Sequence, residues 1–259
     1  MWKNLKPQAS TQKAVDYGDY VLSGREKCLY LAEGLLLVGI FAYFFYRSIG
    51  AFLLLTPSLF LFLKQKKKEL AEKRRKELRM QFKDAILSVS ANQKAGYSVE
   101  NAFREAYRDM AMLYGEESLV CRELYVIDKG LASNMALEKL LYDFGCRSHI
   151  QDIMQFAEVF LIAKRNGGNM TEILSETANT IEQKSVIDNE IDVLLSARKL
   201  EQKIMNVVPF FIIFYINLTS RGFFDVLYHN PIGILIMTVC LAVYFAAYKI
   251  SGKIVAIEI

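Results

Sequence analysis

The chain has 259 residues, of which 53% are hydrophobic and 23% are charged, and its mean hydropathy is +0.18. This hydropathy is higher than that of a wholly water-soluble domain, whereas the charged share is too large for a chain that lies entirely in a membrane, so we predict a two-part protein. The formal net charge of +4 is concentrated beside an apolar stretch, which favours anionic membrane lipids over nucleic acid as a partner.

The first apolar stretches predict a membrane hairpin. Residues 1–27 have no apolar core, so we expect no cleavable signal peptide before the first span. Residues 1–28 are predicted to be a cytoplasmic N-terminal segment, because the spans come in pairs. Residues 29–46 and 49–63 are apolar and are separated only by Arg47 and Ser48. Because about 17 to 25 apolar residues cross a bilayer core as a helix, we predict a transmembrane hairpin over this region. The hairpin covers residues 29–63.

A dense basic run follows this hairpin, in a juxtamembrane helix predicted over residues 64–80. Its members are Lys64, Lys66, Lys67, Lys68, Lys73, Arg74, Arg75, Lys76 and Arg79. Short segments that are rich in Lys and Arg stay on the cytoplasmic side of a membrane. We therefore expect this run to set the topology of a multi-pass chain in the cell membrane, with both termini in the cytoplasm.

Residues 81–203 are predicted to form a cytoplasmic helical domain, because residues 70–204 contain no proline and show no alternating strand pattern. Glycines mark the expected helix ends, and Ser98 is expected to cap the helix that follows it. Five helices are predicted. The first ends near Gly96, the second covers 99–113 and ends before Gly115, and the third covers 118–129 and ends at Gly130. The fourth runs from 133 or 134 to 144 and stops at Gly145, and the fifth covers 148–165.

The sharpest local pattern in this domain lies at residues 165–172. Glycines there permit a positive φ after one helix, and Asn169 with Glu172 has the spacing of a capping box for the next. A phosphate site is the alternative, but the lysine and the preceding strand of a P-loop are missing, so we favour a helix corner. The candidate partner-contact or structural corners are Gly96, Tyr97, Ser98, Arg165, Gly167, Gly168 and Asn169.

After this corner, a helical pattern runs from residue 170 through Lys203 without a breaker and enters the next apolar stretch. Residues 204–218 and 232–248 predict a second transmembrane hairpin over 204–248, with an external loop at 219–230 and a cytoplasmic tail at 249–259. The fold class is therefore all-α, with four transmembrane helices in two hairpins and one cytoplasmic bundle. A continuous helix would transmit a push on the bundle to the membrane; a passive stalk is the alternative.

The residues give no pattern for catalysis, and we expect no enzyme, cofactor or metal site. The best acidic candidates are Asp84, Glu100, Glu105 and Asp109. The i, i+4 pair of Glu105 and Asp109 is more typical of a solvated helix face than of a catalytic pocket. The cysteines lack metal-ligand spacing. A transporter would need charges inside its spans, where only Glu33 intrudes, and a sensor would need a larger external domain.

Several segments, in their order and spacing, resemble one family of membrane proteins. They are 81–86 (QFKDAI), 95–103 (AGYSVENAF), Gly130 followed by 136–137, 165–169 (RNGGN), 196–200 (SARKL), 208–209 (VP), 230–233 (NPIG) and 253–259 (KIVAIEI). Together they resemble the F-type platform family of type II secretion and type IV pilus machines, and within it the TadB branch of tight-adherence (Flp) pilus systems.

The resemblance implies a non-enzymatic platform protein of the inner membrane. Members of this family are thought to receive motion from a secretion ATPase on the cytoplasmic side and to lift pilin subunits out of the bilayer. Larger relatives carry two copies of the helical domain, whereas this chain has one, so the resemblance implies a TadC-like paralogue as partner and an oligomeric assembly. A TadC-like role for this chain, another F component of a pilus system, or a small membrane transporter are the alternatives.

Overall fold

A computed structural model describes residues 15–18, 20–46, 48–166, 170–220, 222 and 230–257. Within these ranges the regular elements are α-helices and no residue is in a β-strand, so the all-α class is confirmed. The helices are α1 (Gly24–Phe45), α2 (Ile49–Leu55), α3 (Ser58–Lys94), α4 (Val99–Tyr114), α5 (Leu119–Ala132), α6 (Leu137–Ser148), α7 (Gln151–Asn166), α8 (Met170–Thr219) and α9 (Pro231–Ile257).

The chain divides into two compact units. Among the described residues, the helical unit comprises those up to Val21 and those from Lys67 to Val186, and the apolar unit comprises those from Leu22 to Lys66 and those from Ile187 onward. The predicted segments divide the chain differently. The helical unit includes part of the N-terminal segment and most of the juxtamembrane helix, and it ends at Val186 rather than Lys203.

The helical unit has a closed apolar core. Its largest fully buried side chains include Tyr17 near the N-terminus and, from α3, α6, α7 and α8, Leu78, Ile86, Phe144, Phe156, Phe160 and Leu174. The ring centroid of Phe82 lies 5.9 Å from that of Phe144 and 5.5 Å from that of Phe156, both edge to face. Complete burial of such a side chain contributes about 1.5–3 kcal/mol, so these rings hold three helices together.

Two of the predicted glycine breaks are confirmed. Helix α3 ends at Lys94 and Gly96 has a φ of 97°, while α4 ends at Tyr114 and Gly115 has a φ of 83°. Both values lie in the region that favours glycine. The hydroxyl of Ser98 accepts a hydrogen bond from the Asn101 amide at 3.3 Å, as a helix cap does.

The other two predicted breaks are wrong, because Gly130 lies inside α5 and Gly145 inside α6. Both glycines serve close packing. A Cβ on Gly130 would lie 2.5 Å from Leu140 Cδ2, and one on Gly145 would lie 3.1 Å from Met154 Cα. The positive φ values after these helices belong instead to Asn134 (55°) and His149 (53°).

Three helices contain stretches that are long and apolar enough to cross a membrane, within the residues that the structure describes. They are Gly24–Phe45, part of Met170–Thr219, and Ile232–Gly252. Their outward side chains are apolar, for example Phe211 (68% exposed) and Leu235 (64%). Such an apolar surface indicates a membrane protein.

Aromatic side chains hold these three helices together in the apolar unit. The centroid of Phe41 on α1 lies 5.1 Å from that of Phe210 on α8 and 5.5 Å from that of Phe245 on α9. The Tyr244 hydroxyl donates a hydrogen bond to the Asn206 carbonyl at 3.0 Å, which adds a polar link between α8 and α9.

The predicted second span, residues 49–63, is not one helix. Helix α2 ends at Leu55, and α3 begins at Ser58. The intervening Pro57 lacks an amide hydrogen, and its ring would clash with the preceding turn of a continuous helix. The Thr56 hydroxyl donates to the Phe52 carbonyl at 2.9 Å, and the Ser58 hydroxyl donates to the Leu55 carbonyl at 2.7 Å. The sequence prediction did not take Pro57 into account. Because of this break, the described residues do not contain the four predicted spans as four long helices.

Candidate functional site

The first predicted corner forms one end of the helical unit. Gly96 turns the chain between α3 and α4, and a Cβ placed on it would meet no atom within 4 Å. Tyr97 is 47% exposed, so much of its ring is available to a partner. Ser98 is used locally as the cap of α4. This corner therefore projects from the unit, as helix corners commonly do.

The second predicted corner lies at the same end. Helix α7 ends at Asn166, with Arg165 exposed, and Gly167, Gly168 and Asn169 lie outside the described residues. The neighbouring Lys164 Nζ lies 3.0 Å from Glu138 Oε2 and 3.7 Å from Glu100 Oε1. Glu100 is in the first turn of α4, and Glu138 is in the first turn of α6. Lys164 therefore links the end of α7 to the starts of α4 and α6.

The carboxylate of Glu138 is kept ionised by this arrangement. Partial burial alone would raise its pKa, but the hydrogen bond from its own backbone amide and the ammonium of Lys164 outweigh burial and lower the pKa. The ion pair therefore persists into more acidic solution than a glutamate with an ordinary pKa would allow. Lys164 acts here as a structural bridge rather than as a free contact residue.

A shallow, open groove of about 620 Å³ lies beside the corner. It is lined by Lys94 from the end of α3 and by Thr171, Glu172, Ser175, Glu176 and Asn179 from the start of α8. These groups offer hydroxyls, an amide and charges of both signs, which suit a polar protein surface. Together with Tyr97, the groove forms the corner face, our candidate contact surface.

The basic run does not form one uniform solvated face. Lys64, Lys68 and Lys73 are exposed, and Lys68 Nζ lies 3.8 Å from Glu72 Oε1. Arg74 and Arg79 instead serve the interior of the helical unit. The Arg74 guanidinium carbon lies 4.8 Å from the centroid of the Tyr17 ring, and Arg79 forms an ion pair with Asp152.

Asp152 joins two long helices. Its carboxylate is only 6% exposed, and it pairs with Arg79 of α3 and with Lys184 Nζ of α8 at 2.5 Å. It belongs to the first turn of α7, where the positive end of the helix dipole also favours a carboxylate. This Asp152 clamp ties α3 to α8 inside the helical unit, and sequence reasoning missed it because the three residues are far apart in the chain.

Residues 15–18, here called the strap, were also missed as part of the helical unit. The Tyr17 side chain is 1% exposed, its hydroxyl donates to Glu123 Oε1 at 2.9 Å, and its amide donates to the Arg147 carbonyl at 3.0 Å. His149 Nε2 lies 2.9 Å from Asp16 Oδ1. The strap therefore docks on α5 and α6, more than a hundred residues away.

The acidic residues weighed for catalysis have structural partners. Glu105 pairs with Arg108 at 2.8 Å, and Asp109 accepts a hydrogen bond from the Ser88 hydroxyl at 2.5 Å. Asp84 accepts a hydrogen bond from Tyr114, and this bond is the main reason that the pKa of Tyr114 rises to about 12. In the described part of the chain, no group of three His, Cys, Asp or Glu side chains is placed to hold a metal ion.

Comparison with protein-family models, with curated proteins and with solved structures finds no match for this chain.

Proposed function

We propose that this chain is an inner-membrane platform protein of a Tad/Flp-type pilus assembly or type II secretion-like system. In this role it couples a cytoplasmic secretion ATPase to the extraction of pilin subunits from the bilayer, together with a TadC-like paralogue in an oligomer. The observation that carries the proposal is α8, which runs without a break from Met170 to Thr219. Its first part belongs to the helical unit and its remainder to the apolar unit.

A continuous helix is what mechanical coupling requires. A flexible linker would absorb a displacement, whereas the hydrogen-bond ladder of a helix resists stretching and bending. In α8 this ladder lacks one bond, at Pro209, which does not end the helix. Inside the helical unit, the Asp152 clamp adds α3 to the same connection, because it binds Arg79 and Lys184 to one carboxylate. A displacement of the helical unit would therefore reach the membrane through two helices.

The strap supports an even number of membrane crossings before Lys67. The strap and residues 67–186 belong to the same unit, yet α1 lies between them in the sequence. If α1 crosses the bilayer, the chain must cross back before Lys67. The segment available for the return comprises α2 and the first turns of α3, interrupted at Pro57. This reasoning favours four crossings with both termini in the cytoplasm.

Topology is tested by cysteine labelling in intact cells on a cysteine-free background. Single cysteines are placed at Val21, Ser185 and Ser220, and an impermeant maleimide is added outside. We expect labelling at Ser220 only. Labelling at Val21 with protection at Ser185 would mean a single crossing between them and would overturn the four-span arrangement. Labelling at Ser185 would reverse the orientation.

The platform role is tested with the full-length chain in detergent or in a nanodisc. The purified chain should hydrolyse no ATP, because the phosphate-binding loop and its lysine are absent from the sequence, and it should be retained by the secretion ATPase of the same pilus system. Intrinsic hydrolysis, or no retention by that ATPase, would overturn the proposal.

The corner face is tested by a matched pair of variants. Tyr97→Ala removes an exposed ring at the start of α4 and should weaken retention of the ATPase, while Met112→Ala removes an 87% exposed side chain near the other end of that helix and should not. Charge reversal at Lys164 is unsuitable, because it would break the pairs with Glu100 and Glu138. Equal loss for both variants would move the contact away from the corner face.

A further inference from the structure

The anchor of the strap is a single residue. Among residues 15–18 and 20–23, Tyr17 is the one that is buried. Its ring joins the core cluster of the helical unit, and the Arg74 guanidinium lies over its face. Burial and the adjacent Glu123 carboxylate raise the pKa of its phenol, so the hydroxyl stays protonated and remains a donor at physiological pH.

The polar partners of Tyr17 are already paired with each other. Arg147 Nη1 lies 3.0 Å from Glu123 Oε1, and Nη2 lies 2.7 Å from Oε2. Such a bidentate ion pair provides hydrogen-bond donors to both carboxylate oxygens without the tyrosine hydroxyl. Burial would lower the pKa of Arg147, but the hydrogen bonds and the charge of Glu123 outweigh it and raise the pKa. Departure of Tyr17 would thus leave no unpaired buried charge behind.

The contacts on either side of the anchor are weaker. The Val15 side chain packs against the core but is only partly buried. The side chains of Asp16 and His149 are 66% and 48% exposed, so water competes for their interaction. Arg147 Nη1 reaches the Val15 carbonyl at 3.4 Å, a long hydrogen bond. Within the strap itself, the Gly18 amide donates to Asp16 Oδ1 at 2.8 Å, and this local turn does not depend on docking.

We propose that residues 15–18 form a releasable latch, which docks on α5 and α6 through Tyr17 and can leave while the helical unit stays folded. Only five residues, 19–23, separate Gly18 from the start of α1 at Gly24. A closed latch therefore keeps the link between the helical unit and the first apolar helix short, and an open latch lengthens it. The latch is independent of the platform role, since it follows from contacts inside the helical unit.

The physical basis is the difference between one anchor and a whole core. Segments open locally with free energies that range from near zero up to that of global unfolding, and a segment with few buried contacts lies at the low end. The helices of the unit share a core of more than twenty buried side chains, whereas the strap contributes one buried side chain, Tyr17, and one partly buried side chain, Val15. The strap should therefore open far more often than α5 does.

The test is amide hydrogen exchange, read by mass spectrometry on the full-length chain in nanodiscs. Peptides that cover residues 15–22 report the strap, and peptides that cover residues 119–132 report α5. In the wild-type chain we expect the protected strap amides to exchange more than about tenfold faster than those of α5. Tyr17→Ala should remove protection in the strap and leave α5 within about twofold of wild type, and Tyr17→Phe, which keeps the ring, should fall between them.

Asp16→Ala is the matched control, because it removes only exposed contacts of the strap and should keep most of its protection. Three results would overturn the latch. The first is that Tyr17→Ala loses protection in α5 as well as in the strap, or fails to fold. Either outcome would mean that the strap belongs to the cooperative core. The second is unchanged strap exchange in Tyr17→Ala. The third is equal opening by Asp16→Ala.

Discussion

The two units of this chain place apolar side chains in opposite ways. In the helical unit Phe156 and Phe160 are each 1% exposed and pack on one another, while the charged residues lie mostly outside. In the apolar unit Phe211 and Leu235 are more than half exposed, and its buried cluster of Phe45, Met237 and Leu241 is small. The helical unit shields its apolar side chains from water by internal packing, whereas the apolar unit needs a surrounding lipid phase to shield them.

Removal of an aromatic ring gives the largest expected contrast. Phe156→Ala should destabilise the helical unit by about 3–5 kcal/mol, because it leaves a cavity beside Phe82 and Phe160. Phe211→Ala, in the apolar unit, should change stability by less than about 0.5 kcal/mol, since it removes a lipid-facing group. Thermal melts of the full chain in detergent, followed by circular dichroism, measure both. Similar losses would mean that Phe211 packs against another chain or element.

The second contrast concerns carboxylates. Asp152→Ala leaves Arg79 and Lys184 without their shared partner and should destabilise the helical unit by about 1–3 kcal/mol. In the apolar unit, Glu201→Ala removes a pair with Arg198 in which both side chains are about two-thirds exposed, and it should have little effect. The reporter is Cys121, whose buried thiol should react with a maleimide only when the helical unit opens.

For that measurement, Cys28, Cys146 and Cys240 are exposed and are first replaced by serine. Asp152→Ala should raise the labelling rate of Cys121, and Glu201→Ala should not. An unchanged rate in Asp152→Ala would show that the clamp contributes nothing to the stability of the helical unit.

A third contrast compares glycines. Gly130→Ala should destabilise the helical unit by about 1 kcal/mol, because the new methyl group displaces Leu140. Gly252→Ala, in the apolar unit, meets only Gln202 Nε2 at 3.8 Å and should be neutral or slightly stabilising, since alanine favours a helix. The same thermal melts distinguish them. A neutral Gly130→Ala would mean that Leu140 repacks freely, so the interior would be less tight than the geometry indicates.

The smallest expected effect depends on pH. Tyr114 has a pKa raised from 10.0 to about 12 in the folded chain, first by its hydrogen bond to Asp84 and then by burial. A group with a raised pKa stabilises the fold fully below its unfolded pKa, and this stabilisation fades as pH rises through the folded value. Tyr114→Phe should therefore be less stable than wild type at pH 8, and the difference should shrink between pH 10 and 12 in denaturant titrations. A difference that is constant across this window would exclude the linkage.

The contrast between glycines also shows what sequence patterns could reveal. Gly96 and Gly115 follow long amphipathic helices and precede a cap or polar residues, and both breaks were predicted correctly. Gly130 and Gly145 have the same local appearance, but their role is set by Leu140 and Met154 of other helices. Whether a glycine ends a helix or lets another helix approach depends on tertiary contacts, which a local pattern does not contain.

The candidate site divides in the same way. The first corner was recognisable from glycine and cap spacing, whereas the glycines and the cap predicted for the second lie outside the described residues. The proximity of the end of α7 to the starts of α4 and α6 was not recognisable, because it depends on Lys164 with Glu100 and Glu138. The strap had no signal at all, since one tyrosine in a polar segment has no periodicity. Pro57 is the exception: its effect is local, and it could have been predicted.

The Asp152 clamp has a consequence for the ionic conditions under which the protein works. Mobile ions screen exposed charges over about 8 Å at physiological ionic strength, but they do not enter a site that is shielded by protein. Surface pairs such as Lys68 with Glu72 are 78% and 56% exposed and weaken as salt rises. In the clamp, the Asp152 carboxylate is only 6% exposed, and its partners Arg79 and Lys184 are 31% and 47% exposed. The connection between α3 and α8 should thus weaken less with rising salt than the exposed pairs on the outer surface of the same helices.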